Sequence, residues 1–331
     1  MLALVFAALP AAASPAAQTL PVGAPDAWKY LAFDPGTKRV FIAHGNEVTV
    51  VDTVTLQIAG HIHGLSGAHG VAIVPGGSGY AASSKSAAVS VFDPKTLQVS
   101  AVLKAGEDAN SVTYDPVSHH VFVANDDSGT VTIIDAATNA PVASVVLPGG
   151  EGLESTAADG TGHLFVNHSA QNNVVRIDTR TSRVDAAWKL PGCTKPRGLA
   201  VDATLERLFA SCDNSRLLVL DLHDGRLVTT VPIGPASDTV IYDTQRHRLY
   251  TANMNGTLSV IKVVGPDRYV PDADIATAKG AHTAALDPRT GIVYLVSADI
   301  DTEAPAAPRR KQTYVFKAGT VKLLALDPEK P

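Results

Sequence analysis

The sequence predicts an all-β fold: a seven-bladed β-propeller of four-stranded antiparallel blades, its ring closed by an N-terminal strand that completes the last blade. Three observations predict it. A hydrophobic run ending in an acid recurs at a fixed period, each repeat carries the same strand and turn chemistry, and a segment ahead of the first repeat resembles the end of one.

The period comes first. Runs written VVD, VFD, IID, RID and VLD end at Asp52, Asp93, Asp135, Asp178 and Asp221, 41 to 43 residues apart, which is the length of a four-stranded blade. A second register marks the end of each first strand at Asp34, Pro75, Asp115, Asp159, Asp202, Asp243 and Asp287, and so counts seven repeats. Lys262 breaks the first pattern of acids, in the sixth repeat, and Pro75 the second, in the second repeat, as a diverged array would.

Within one repeat, VFVANDDSGTVTIIDAATNAPVASVVLPG, β-branched runs at 121–124, 130–134 and 142–147 are separated by turn-forming residues, which predicts a meander of antiparallel strands. The recurring Asp-Pro and Asp-x-x-Thr pieces, among them Asp34-Pro35 and Asp135 to Thr138, are turn formers. Such a sheet is apolar on both faces and cannot stand alone. Neighbouring blades cover it. For closure, TLPVGAPDAW (19–28) resembles TTVPIGPASDTV (229–240), and the chain stops after a third-strand pattern at 320–327. The strand at 19–23 therefore completes the last blade and hides an edge that would otherwise pair with other chains.

A chain of 331 residues would ordinarily allow two domains, but the repeat assigns 18–331 to a single propeller. Residues 1–17 read as a secretory signal, an apolar stretch followed by small residues, with cleavage near Ala13 or Ala17. No Lys or Arg precedes Lys29, so either the start codon is misplaced or the chain is truncated; a disordered Ala-Pro tail is the plain alternative. The expected location is periplasmic or secreted. An inserted loop at about 299–319, DIDTEAPAAPRRKQTYVFKAG, falls on the channel face and reads either as a lid or as a flexible flap carrying the basic run Arg309-Arg310-Lys311.

Net charge of −5 and 5% aromatic residues argue against nucleic acid. No apolar run is long enough for a membrane span, and a monomer is expected. In an oxidising compartment the two cysteines gain meaning. Cys193 precedes the first strand of the fifth repeat and Cys212 ends its second, at one rim of one hairpin, so a disulfide fits and would contribute about 3 kcal/mol. Two buried thiols or a metal pair are the other readings.

The repeats TVTIIDAATNAPVASVVLPG and HVFVAND, the phrases GAHGVAIVP and CTKPRGLAVD...RLFASCDN, and the proline-rich insert closely resemble the YncE-like family of exported YVTN-repeat β-propeller proteins. The likeness runs from about residue 19 to the C-terminus. It implies the fold and export. For function it implies little, because seven-bladed propellers serve as binding scaffolds, lactonases and subunits of redox enzymes. Equivalents of His44, His69, Cys193 and Cys212 occur in the same phrases of the family, whereas His61 and His63 depart from it.

Candidate site residues follow from the register. Five residues before each first-strand marker stand Lys29, Gly70, Asn110, Glu154, Arg197, Asp238 and His282, with His69 beside Gly70. Six of the seven are polar or charged, at the mouth of the channel. With His44, from a connection on the same face, they form the expected ligand-binding ring, with Glu154 and Asp238 opposed to Lys29 and Arg197; the plain alternative is a hydrated ring of ion pairs. Replacing Arg197 or Glu154 is expected to cost little stability. No cofactor is expected except a transition metal, for which His44, His63 and His69 are the candidate ligands. No phosphate-cradling loop or nucleophile elbow is present, and catalytic residues are not assigned. The leading function is a non-enzymatic exported protein that binds a small ligand, peptide or protein through its channel face. A metal-assisted lactonase-like hydrolase, a redox-associated subunit and a structural assembly component are the rivals.

Overall fold

A computed structural model describes residues 17–304 and 313–330. Residues 1–16, which hold nearly all of the expected signal, and the basic run at 309–311 lie outside the described residues. Seven sheets are arranged as blades around a central channel, and six of them follow chain order from the inside out. Blade one shows the plan: Trp28–Asp34 is innermost, followed by Arg39–His44, Glu47–Asp52 and Gln57–Ile62, each antiparallel to the last. In blade three the meander runs Ala109–Asp115, His120–Asn125, Thr130–Asp135 and Ala140–Val146.

The seventh sheet is the exception. It is ordered Ala284–Leu286, Val293–Ser297, Lys322–Leu326 and then Gln18–Pro21, whose register pairs Thr19 with Leu324 and Pro21 with Lys322. The first strand of the described chain is thus the outermost strand of the last blade, as its likeness to the end of a repeat predicts. On the channel side, Thr283 Oγ1 donates to the Lys29 carbonyl at 2.8 Å. The ring is fastened at both its outer and inner edges.

Alternation along each strand decides what covers the sheets. Val40 and Ile42 turn to blade seven, where they pack with Tyr294, Val296 and Leu323. Phe41 and Ala43, their immediate neighbours, turn to blade two and pack with Val71, Ala81 and Phe92. The same division recurs around the ring, so the described residues hold seven buried clusters, one at each junction between blades.

Two irregular features complete the fold. Cys193 and Cys212 are bonded, with Cα atoms 5.5 Å apart, and their sulfurs sit within the cluster between blades four and five. The insert forms a hairpin, Ile300–Ala304 with Thr313–Phe316. Its base is anchored by Phe316, whose ring lies edge-on to Trp28 with centroids 4.9 Å apart.

Candidate functional site

The innermost strands enter the ring at one face, and the second-to-third strand turns arrive at the same face. Arg197 shows both. Second in the strand Pro196–Asp202, it donates through Nε to Asp213 Oδ1 at 2.6 Å, in the turn after Arg207–Cys212 of its own blade. Its Nη1 lies 3.3 Å from Asp238 Oδ1, ahead of blade six, and 3.8 Å from Glu154 Oε1 of blade four. Carboxylates from three blades thus converge on one guanidinium. Burial opposes its charge, but Asp238, Glu154 and Asp213 outweigh burial and hold its pKa above the ordinary value.

Glu154 behaves differently. Burial pushes its carboxyl up to about 7; Arg197 pulls the other way, while Asp238 and Asp126 add to the rise. It therefore exchanges a proton near neutrality. Asp238 continues the network: its Oδ2 lies 3.5 Å from His282 Nε2, and His282 Nδ1 donates to the Gly280 carbonyl at 2.6 Å.

Below this layer the channel holds a cavity of about 150 Å³, faced by the hydroxyls of Tyr30, Ser111, Thr113, Ser155, Thr156 and Thr239. Tyr30 Oη is 3.2 Å from Ser155 Oγ, a contact across the ring from blade one to blade four. Burial, then Glu154 and Asp238, raise the phenol well above its ordinary value, so it stays protonated. His69 lies beside Tyr30, with ring centroids 5.6 Å apart. Burial and then Lys29 push its imidazole down to about 3, which keeps it neutral, and its Nδ1 is buried with no hydrogen-bond partner among the described residues. A ligand reaching the cavity meets hydroxyls, the Asp238 carboxylate and apolar side chains such as Leu31 and Val112.

The register therefore brings together Glu154, Arg197, Asp238 and His282, with Lys29 exposed nearby and close enough to act on His69 and Glu154. Three residues take other places. Asn110 is buried and spends its Nδ2 on the Leu153 carbonyl of the next blade at 3.3 Å. Gly70 packs flat against blade three, where a Cβ would run into the Asn110 carbonyl and come within 2.9 Å of the Val112 nitrogen. His44 is fully buried with Nδ1 2.9 Å from Thr49 Oγ1, so it cannot face a ligand at the mouth; burial lowers its pKa.

The expected metal set of His44, His63 and His69 is not gathered. His69 stands on an innermost strand, while His44 ends a second strand and His63 follows a fourth, at different distances from the channel axis. Among the described residues, only Asp108, Asp126 and Asp127 bring three ligand atoms within 4.8 Å of one another. Burial and mutual repulsion raise Asp108 and Asp126 above the ordinary carboxylate value.

Asp213, Tyr30 and Ser155 are contributors that the register reading did not pick out. Two of them had a signal. Four residues before each marker stand Tyr30, Val71, Ser111, Ser155, Gly198, Thr239 and Thr283, of which five carry a hydroxyl. Asp213 had a weaker one, because the residue after the second strand is an acid in only one other repeat, at Asp126.

Comparison with known proteins bears on the fold. A chain of hydrazine synthase from Kuenenia stuttgartiensis superposes with a TM-score of 0.71 at 16% identity, over 83% of this chain and 92% of that one. The WD40 repeats of RRP9 give 0.78 at 11% identity over 95% and 99%, and a chain of the mitotic checkpoint complex 0.74 at 14% over 96% and 99%. At such identities the likeness shows the fold alone. No family model and no curated protein matches the sequence.

Proposed function

We propose that this chain is an exported, monomeric, YncE-like propeller that binds a polar ligand, either a small molecule or a group presented by a protein partner, at its channel mouth. The observation that carries this reading is a ring of mixed charge, centred on Arg197 and a Glu154 poised near neutrality, set over a cavity lined by hydroxyls. Partly buried charges are costly unless paired, hydrated or occupied. Carboxylates outnumber cations at the mouth, so a ligand bearing a cationic or hydrogen-bond-donating group fits best.

Export is supported by the bonded Cys193–Cys212 pair, which persists in oxidising compartments. Among the described residues no helix is long and apolar enough to cross a membrane. A protein partner is supported by the similar propeller that belongs to a mitotic checkpoint complex. The metal-assisted hydrolase is the weaker reading, because the carboxylates that would surround a metal converge on Arg197 instead.

The test is a thermal-shift screen of small amines, polyols and amino acids against the mature protein, repeated with Glu154→Gln and Asp238→Asn. Hits that weaken at least tenfold in both variants support the mouth. Hits indifferent to both, yet lost on substitution at the opposite rim, overturn it.

A further inference from the structure

Away from the channel mouth, blade one carries a second cluster that the reading above does not use. His61 lies in its outermost strand, Gln57–Ile62, paired with Thr49, and His63 follows two residues later. Alternate residues of an extended segment share one side, and the two rings lie nearly parallel, 17° apart with centroids separated by 5.7 Å. Between them and the sheet sits Glu47, whose Oε1 is 2.8 Å from His61 Nδ1 and whose Oε2 is 3.1 Å from His63 Nδ1. One carboxylate thus holds both imidazoles, each through a different oxygen.

The chemistry of that contact fixes the rings. An ionised carboxylate only accepts hydrogen bonds, so both Nδ1 atoms carry a proton, and in the neutral imidazole the Nε2 atom is then the one left with a lone pair for a metal. Glu47 is itself positioned: Thr49 Oγ1 donates to its Oε1 at 3.2 Å and lies 2.9 Å from Nδ1 of the fully buried His44. The chain His44, Thr49, Glu47, His61 and His63 runs from the blade interior to solvent. Side-chain exposure rises along it, from 18% at Glu47 to 34% at His61 and 74% at His63.

We propose that His61 and His63 are the protein ligands of a divalent transition-metal ion, Zn(II) or Cu(II), held through their Nε2 atoms, with Glu47 as the positioning residue. Imidazole suits these ions, and a carboxylate on the far nitrogen is the usual support of a metal-bound histidine, orienting the ring and raising its basicity. With Glu47 retaining both Nδ1 atoms, small rotations of the half-buried His61 ring and the exposed His63 ring bring the two Nε2 atoms onto one ion at about 2.0–2.1 Å from each. Solvent completes the coordination, leaving the site open to an external ligand. If Glu47 instead served only to pair with protonated imidazoles, the two rings would bind no metal.

The test is calorimetric titration of tag-free mature protein with zinc chloride and, separately, copper(II) sulfate in a non-chelating buffer. The wild type is expected to take up one ion per chain, with at least tenfold weaker binding in His61→Ala and in His63→Ala. Glu47→Gln is expected to weaken it by about 10–100-fold. Electron paramagnetic resonance of the copper-loaded wild type should show two nitrogen ligands, a readout that does not depend on how well any variant folds. Absence of binding by the wild type, affinity unchanged in either histidine variant, or binding lost instead in Asp126→Asn would overturn the proposal.

Discussion

The strand Leu153–Ala158 of blade four has an acid at each end of its reach: Glu154 at the channel mouth and Asp159 at the opposite rim, five residues on. Asp159 accepts from the backbone nitrogens of Thr161, Gly162 and His163 at 2.7, 3.0 and 3.0 Å, from Thr161 Oγ1 at 2.7 Å, and from His163 Nδ1 at 2.9 Å. Burial works against its charge, but those donors win and its pKa is lowered. Glu154 is also withdrawn from water, yet it faces another side chain's guanidinium at 3.8 Å and two like charges, and it rises to about 7. Burial alone does not decide the state of a carboxylate. What decides it is whether local backbone donors close around the group or the group is left to its neighbours across the ring. The same contrast divides the two faces: Asp52 and Asp178, in rim turns, are lowered chiefly by backbone N–H groups, whereas Asp108 and Asp126 at the mouth are raised.

The comparison breaks most visibly at Arg197. Its removal leaves Asp213 and Asp238 partly buried without their cation, so Arg197→Ala is expected to cost about 3 kcal/mol in urea unfolding at pH 7. The sequence-based expectation of a small cost assumed a hydrated ring, and three converging carboxylates make that assumption poor. A loss under about 1 kcal/mol would restore it.

At the rim, Asp159→Ala removes an acceptor shared by several donors and is expected to cost about 2 kcal/mol. Because the folded pKa lies below the ordinary 3.8, this stabilisation is present above that value and is lost as pH falls through the folded one. Melting curves of wild type and variant should therefore converge in acid. Curves that remain parallel down to pH 2 would show that the turn bonds do not depend on the carboxylate charge.

The smallest effect is expected at Glu154. Its folded pKa of about 7 lies above the ordinary 4.5, so the folded chain binds the proton more tightly, and the associated stability is present below 4.5 and lost as pH rises through 7. Glu154→Gln should change stability at pH 5 by less than about 1 kcal/mol and flatten the pH dependence between 5 and 8. An unchanged slope would place the titration on another group and weaken the contrast between the two ends of the strand.

How much of this was legible in advance depends on whether a residue's partners are near it in sequence. Turn acids such as Asp34 and Asp135 were read correctly from the chain alone, since their donors lie two or three residues away. The closing strand was legible because 19–28 repeats the chemistry of a known blade end. The ring at the mouth was only half legible. Register gave its positions, but not that Asn110 spends its amide on the next blade, that His44 is sealed inside its own, or that Asp213 rather than Glu154 or Asp238 is the nearest partner of Arg197.

By itself, then, the sequence determined the architecture: period, alternation and turn residues are local or repeated signals, and each is stated seven times with small errors. Only the tertiary structure decided the site. Its contacts join residues of different blades, such as Tyr30 with Ser155 or Arg197 with Glu154. Their distances depend on how far each side chain reaches across a closed ring, a quantity that no spacing along the chain encodes. The charge state of Glu154 follows from those distances and from the exclusion of water, and both exist only once the ring has closed.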